Sequence, residues 1–187
     1  MKHILLPAAL LLTAVFCGCA KDKTAPEPME KAAEMPDEAA VTALFDALDE
    51  IDRLGGCAVK TDHAKTVEID GYEYAVVTDE RYQTEEDIRA LTEASLTEEL
   101  QNGRYGDLLD GEPPLYVGRD DTLYVLEAGR GCGFPYTGAV RIISCAKDTV
   151  KAEREFDNYG GTSSLCVTLT VEDGTWKVDS FTIEDAE

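Results

Sequence analysis

SLCVTLTVEDGTWKVDSFTIED, residues 164–185, is the stretch that decides the fold. Leu165, Val167, Leu169 and Val171 alternate with Cys166, Thr168 and Thr170. Period-two alternation is the mark of a strand buried on one face only. Glu172-Asp173-Gly174 then supplies a tight turn, and Trp176 and Val178 resume the alternation on the return strand. Phe181 and Ile183 fall out of phase with that pair, so burying all four side chains requires a bulge near Asp179-Ser180. The C-terminal third of the chain is therefore antiparallel sheet.

Upstream, the same pattern recurs in shorter pieces. Ala139 to Cys145 and Val150 to Asp157 flank Lys147-Asp148, and Asn158-Tyr159-Gly160-Gly161 turns the chain into the strand above. Leu115 to Val117 and Thr122 to Leu126 flank Arg119-Asp120-Asp121, a hairpin signal. Val67 to Thr78 reads as a further strand pair with Asp70-Gly71 at its turn. Between the hairpins lies the glycine-rich loop Gly129 to Gly138, expected as an irregular crossover with Phe134 and Tyr136 packed beneath it.

Helical periodicity appears twice. Asp37 is placed to cap a helix whose Val41, Leu44, Phe45, Leu48, Ile51 and Leu54 recur at steps of three and four. Gly55-Gly56 is the expected positive-φ stop. Thr84, with Asp87 three residues on, opens a second helix carrying Ile88, Leu91, Leu96 and Leu100, ended by Asn102-Gly103. The expected fold is α+β, with two main helices packed on one face of a curved antiparallel sheet of about six strands, over residues 37–187.

The N-terminal region reads differently. Lys2 and His3 precede an apolar run from Ile4 to Val15, too short to cross a bilayer of ~30 Å as a helix. Phe16-Cys17-Gly18-Cys19 resembles a bacterial lipobox. The expectation is a lipoprotein signal over 1–18, cleavage before a lipid-bearing Cys19, and a flexible tether over 19–36 rich in Lys, Ala, Pro and Glu. The protein would then work outside the cytoplasm, moored to the cell membrane by its acyl chains.

The chain has 17 Lys and Arg against 38 Asp and Glu, a net charge of -21. Such a field disfavours nucleic acid and anionic lipid and favours a basic partner. Within the expected domain four cysteines remain, Cys57, Cys132, Cys145 and Cys166. An exported location permits disulfides among them in any of three pairings. None forms a C-x-x-C, so neither a zinc site nor a redox dithiol is indicated, and no metal or cofactor is expected. His63 is the one histidine after the signal and sits in a polar stretch, Lys60-Thr61-Asp62-His63, expected as a solvated loop. No G-x-S-x-G, P-loop, H-E-x-x-H or G-x-G-x-x-G occurs. Carboxylates are abundant, and an acid pair would need a cleft and an apolar neighbour to separate its two pKa values.

Three stretches carry a resemblance: YEYAVVTDERYQTEEDIRALTEASLTEEL, LYVGRDDTLYVLEAGRGCGFPYTGAVRIISC, and the final SLCVTLTVEDGTWKVDSFTIED. In this order the segment from Tyr72 to Glu184 resembles the IseA family of D,L-endopeptidase inhibitors of bacterial cell envelopes. The resemblance implies a non-enzymatic inhibitor of NlpC-type cysteine peptidases, which cut peptidoglycan stems, with an acidic surface docked over the enzyme's cleft. The partner is then a cell-wall peptidase or another basic extracytoplasmic protein. The candidate contacts are turn residues: Asp120, Asp121, Asp157, Tyr159, Glu172 and Asp173. The W-K-V-D-S-F hairpin also resembles lipoproteins of nuclear transport factor two-like and cystatin-like folds, which implies small-ligand binding or a structural envelope role as the alternative.

Overall fold

The computed structural model describes residues 34–129 and 133–185. The signal, Cys19 and most of the tether lie outside the described residues, as does Cys132.

Helix α1 (Glu38–Gly55) begins where Asp37 accepts a hydrogen bond from the Ala40 N–H. Of its six stripe residues, Val41, Phe45, Leu48, Ile51 and Leu54 are at 0 % exposure and Leu44 is half-buried. Its end departs from expectation. Gly56 has φ -87°, and the left-handed residue is Cys57 at φ 56°. The Ala58 N–H reaches Arg53 O and the Cys57 N–H reaches Leu54 O, the paired bonds of a Schellman cap. Those bonds put the left-handed position one residue beyond the glycine pair.

The expected single sheet of about six strands is instead two four-stranded antiparallel sheets. The first contains β1 (Thr61–Ile69), β2 (Tyr72–Val77), β3 (Tyr116–Arg119) and β4 (Thr122–Leu126) in the order β1-β2-β4-β3. The second is a meander of β5 (Arg141–Ala146), β6 (Thr149–Asn158), β7 (Gly161–Glu172) and β8 (Thr175–Asp185). The glycine-rich crossover separates them: Phe134 N–H is donated to Asp49 on α1, so the chain is anchored there before the second sheet starts. Lys60 to His63 was expected as loop. From Thr61 it is strand, because Thr61 and Asp62 pair with Val77 and Val76. A register shift between Asp62 and Thr66 then bulges the edge outward.

The second helix is also two. α2 (Glu85–Ser95) stops because Leu96 takes an extended conformation and bridges Val178 of β8. Thr97 then caps α3 (Glu98–Arg104), accepting from the Leu100 N–H. The bulge expected in the last strand is present: the register slips between Thr168 and Leu169, opposite Ser180 and Val178. Its consequence is smaller than expected, since Phe181 is half-buried and Ile183 is 48 % exposed at the sheet edge.

One continuous core joins both sheets and the helices. Two tyrosines, Tyr116 buried and Tyr136 half-buried, tie it to α1. The Tyr136 hydroxyl donates to Phe45 O at 3.0 Å and the Tyr116 hydroxyl to Leu54 O at 2.9 Å. These two bonds hold the first half of α1 against the crossover loop and the second half against β3.

Candidate functional site

Helix α2 carries acids in its first turn, Glu85, Glu86 and Asp87, which is where the helix dipole favours them. Asp87 completes a capping box with Thr84, and hydrogen bonds from Gln83, Thr84 and their backbone hold its carboxyl below the usual range. Glu85 is also engaged: it accepts the Gly118 N–H at 2.6 Å and so fixes the β3–β4 hairpin beside the helix. This contact forms a cleft of about 380 Å³ between α2 and the Asp120-Asp121 turn, with Arg89 on one wall.

Arg89 also lines a second cleft, of about 520 Å³, toward the C-terminal end of α2. Glu93, Glu98, Glu172 and Asp173 surround it. Glu172 accepts from the Glu98 N–H at 3.2 Å and from Lys177 Nζ at 2.9 Å. The Lys177 bond, with the Glu98 N–H, holds its carboxyl below the ordinary value. Four of the six expected turn residues, Asp120, Asp121, Glu172 and Asp173, thus flank one helix. Glu172 is committed to capping α3, which leaves Asp120, Asp121 and Asp173 as the exposed acids of those turns.

Asp157 and Tyr159 are not part of this face. They sit at the β6–β7 turn, while Glu172 ends β7, a strand of 12 residues that spans roughly 35 Å. Asp157 accepts the Gly160 N–H at 2.7 Å, a turn-closing bond, and the Tyr159 side chain is fully exposed. The helix acids Glu86 and Glu93, seven positions apart on one face, belong to the α2 surface and were not singled out from sequence. Their spacing was readable, but which loops meet that helix was not.

The turns differ in strain. The hairpins at Asp70-Gly71, Tyr159-Gly160 and Asp173-Gly174 all place both central residues at positive φ, with glycine second. The β3–β4 turn does the same with Asp120 at φ 49° and Asp121 at φ 58°. A non-glycine residue pays roughly 1 kcal/mol in that region. Asp121 therefore holds a carboxylate where three sister turns hold glycine.

Two other constellations are structural in geometry. Asp49 and Asp52 of α1 receive the N–H groups of Phe134 and Gly133, and Asp49 also pairs with Arg53 at 2.9 Å. Burial raises the Asp52 carboxyl above its usual value, and Arg104 and the Tyr105 hydroxyl oppose this. Both carboxylates thus anchor the crossover loop. His63 lies on the bulged edge of β1, its ring nitrogens bonded to Thr61 Oγ1 at 2.9 Å and to Glu127 Oε1 at 2.6 Å. Its side chain is 72 % exposed. Cys145 and Cys166 are free thiols on β5 and β7, with β6 running between them. Burial, helped by the Glu184 carboxylate, raises the Cys166 thiol. Among the described residues no group of three or more His, Cys, Asp or Glu is placed to hold a metal, and no helix is long and apolar enough to cross a membrane.

No protein-family model matches this chain, and no curated protein matches it significantly.

Proposed function

We propose that the protein is a lipid-anchored extracytoplasmic binding protein that inhibits a cell-wall D,L-endopeptidase of the NlpC type. It does so by laying the acidic surface around α2 over the cationic rim of the enzyme's cleft. The observation that carries this reading is Asp121. An acid kept at a left-handed turn position, where glycine is the cheaper residue, marks a site held for something other than stability. It stands beside the exposed Asp120 and the α2 acids, with Asp173 beyond Arg89.

The carboxylates act as docking charges in this reading. They speed encounter with a basic surface and fix its orientation, and their contribution falls with salt. Non-catalytic action is supported by how the acids of α1 are used: they bind backbone N–H groups of the crossover loop. The tether lets the domain reach peptidases in the wall from the membrane.

The test adds the purified full chain to an NlpC-type peptidase digesting peptidoglycan and follows release of muropeptides. Inhibition that saturates at one domain per enzyme and weakens about tenfold or more between low and high salt is expected. Unaltered muropeptide release at every salt concentration would contradict the proposal.

A further inference from the structure

A third cleft adjoins α2. At about 630 Å³ it is larger than the two beside Arg89, and its walls are mostly apolar. Ala43, Leu44 and Ala47 come from α1, Ala94 from α2 and Trp176 from β8. Met35, 48 % exposed, stands among them. The Trp176 ring is 9 % exposed, and its Nε1–H donates to Glu34 O at 2.7 Å. With its one donor satisfied, the indole offers the cleft only apolar surface. An open apolar cleft keeps water against hydrocarbon, and association relieves that.

Two features define what fills it. The first is charge. Among the described residues that line it, Glu34 and Asp37 carry charge, and both are acidic. In a chain of net charge -21, an acidic rim repels a second copy and an anionic lipid surface, and attracts cations. The second is continuity with the acidic surface around α2. Glu172 and Asp173 line the second Arg89 cleft, and the next two residues, Gly174 and Thr175, line this one. Helix α2 divides in the same way, giving Glu93 to the first and Ala94 to the second. We propose that this cleft is the apolar anchor of the docking surface. It takes a segment of the target that carries one or two large apolar side chains flanked by lysine or arginine. The inference rests on the proposed function in assigning that segment to the peptidase. The apolar side chains lie against Leu44 and Trp176, and the basic flanks meet Glu34, Asp37 and the neighbouring Asp173. Rim charges then set encounter and orientation, while the buried centre holds the complex. Contact at the centre resists salt, which the carboxylates around α2 do not.

Trp176 is the one tryptophan of the chain, so its fluorescence reports on this cleft alone. The test titrates the full chain with the capped hexapeptide Lys-Lys-Leu-Phe-Lys-Lys and with Lys-Lys-Ser-Ser-Lys-Lys. The first is expected to change the Trp176 emission along a saturating curve, and the second to bind about tenfold or more weakly. Ala43→Gln with Ala94→Gln narrows the cleft from two exposed helix positions. Glutamine is a good helix former, so the circular dichroism spectrum should stay unchanged while affinity for the first peptide falls about tenfold. The same double variant should lose the peptidase inhibition that survives high salt. Equal affinity for the two peptides, or no change with either, would overturn the proposal. So would an emission change that appears without peptide and rises with protein concentration, since the occupant would then be a second copy. If the wild-type chain inhibits and the double variant inhibits equally at every salt concentration, the anchor is overturned and the proposed function stands. If the wild-type chain leaves muropeptide release unaltered, the proposed function falls, and the peptide titration alone decides the cleft.

Discussion

Asp121, Asp79 and Gly133 each answer to a different physical demand. Asp121 sits at φ 58° beside a helix of like charge. Replacing it by glycine relieves backbone strain and like-charge repulsion at once. Asp121→Gly should raise stability by about 0.5–1 kcal/mol in a urea melt while weakening inhibition. Asp79 is the reverse case, a carboxylate held for stability. It is 5 % exposed and accepts a forked pair of bonds from Arg81, Nε at 3.0 Å and Nη2 at 2.8 Å. Those bonds hold its pKa at about 2, against an ordinary 3.8. The folded chain therefore resists the proton that the unfolded chain accepts. The stabilisation is complete above about pH 4 and is lost as pH falls toward about 2. It amounts to at most roughly 2 kcal/mol, because Arg81 is exposed enough to be screened. Asp79→Asn should flatten the acid limb of stability against pH by that amount. Gly133, at φ 56°, lies so close to α1 that a Cβ would meet the Asp49 carboxylate and Arg53 Cγ. Gly133→Ala should cost roughly 1–3 kcal/mol, read by thermal unfolding.

At the level of elements, patterns with a local cause were legible. The α1 stripe, its Asp37 cap, the turn at Asp173-Gly174 and the bulge by Asp179 follow from periodicity and short-range chemistry, and all are present. What failed depended on distant partners. Leu96 fits the helical stripe of its neighbours, yet a bridge to Val178 draws it into an extended conformation. The signal for the break was nonetheless local: Thr97-Glu98-Glu99 repeats the Thr84-Glu85-Glu86 start three turns earlier. Thr84→Ala removes the capping box and should cost about 1 kcal/mol, with faster amide exchange at the start of α2. Thr61 to His63 looked like loop because strand β1 exposes most of its side chains and lacks alternation. The division into two sheets was invisible for a similar reason: hairpins announce themselves, but the sheet each one joins is set by the crossover loop and its anchors on α1.

Over the whole molecule, the acids divide into two populations. Some close turns and caps, as Asp157, Asp87 and Glu172 do. Others, such as Asp120, Asp121, Asp173, Glu86 and Glu93, face solvent around α2. Composition alone gave one net charge and no direction; folding gathers the second population around α2. In the proposed function the α2 side, and not the acidity of the chain at large, engages the peptidase. The most direct measurement compares two variants as inhibitors of muropeptide release at low salt. One is Asp120→Asn with Asp121→Asn and Asp173→Asn, where asparagine tolerates the left-handed turn; the other is Asp157→Asn with Tyr159→Asn at the far end of β7. The first is expected to lose about tenfold or more of its inhibition and the second none. Equal losses in the two, or none in either, would contradict it.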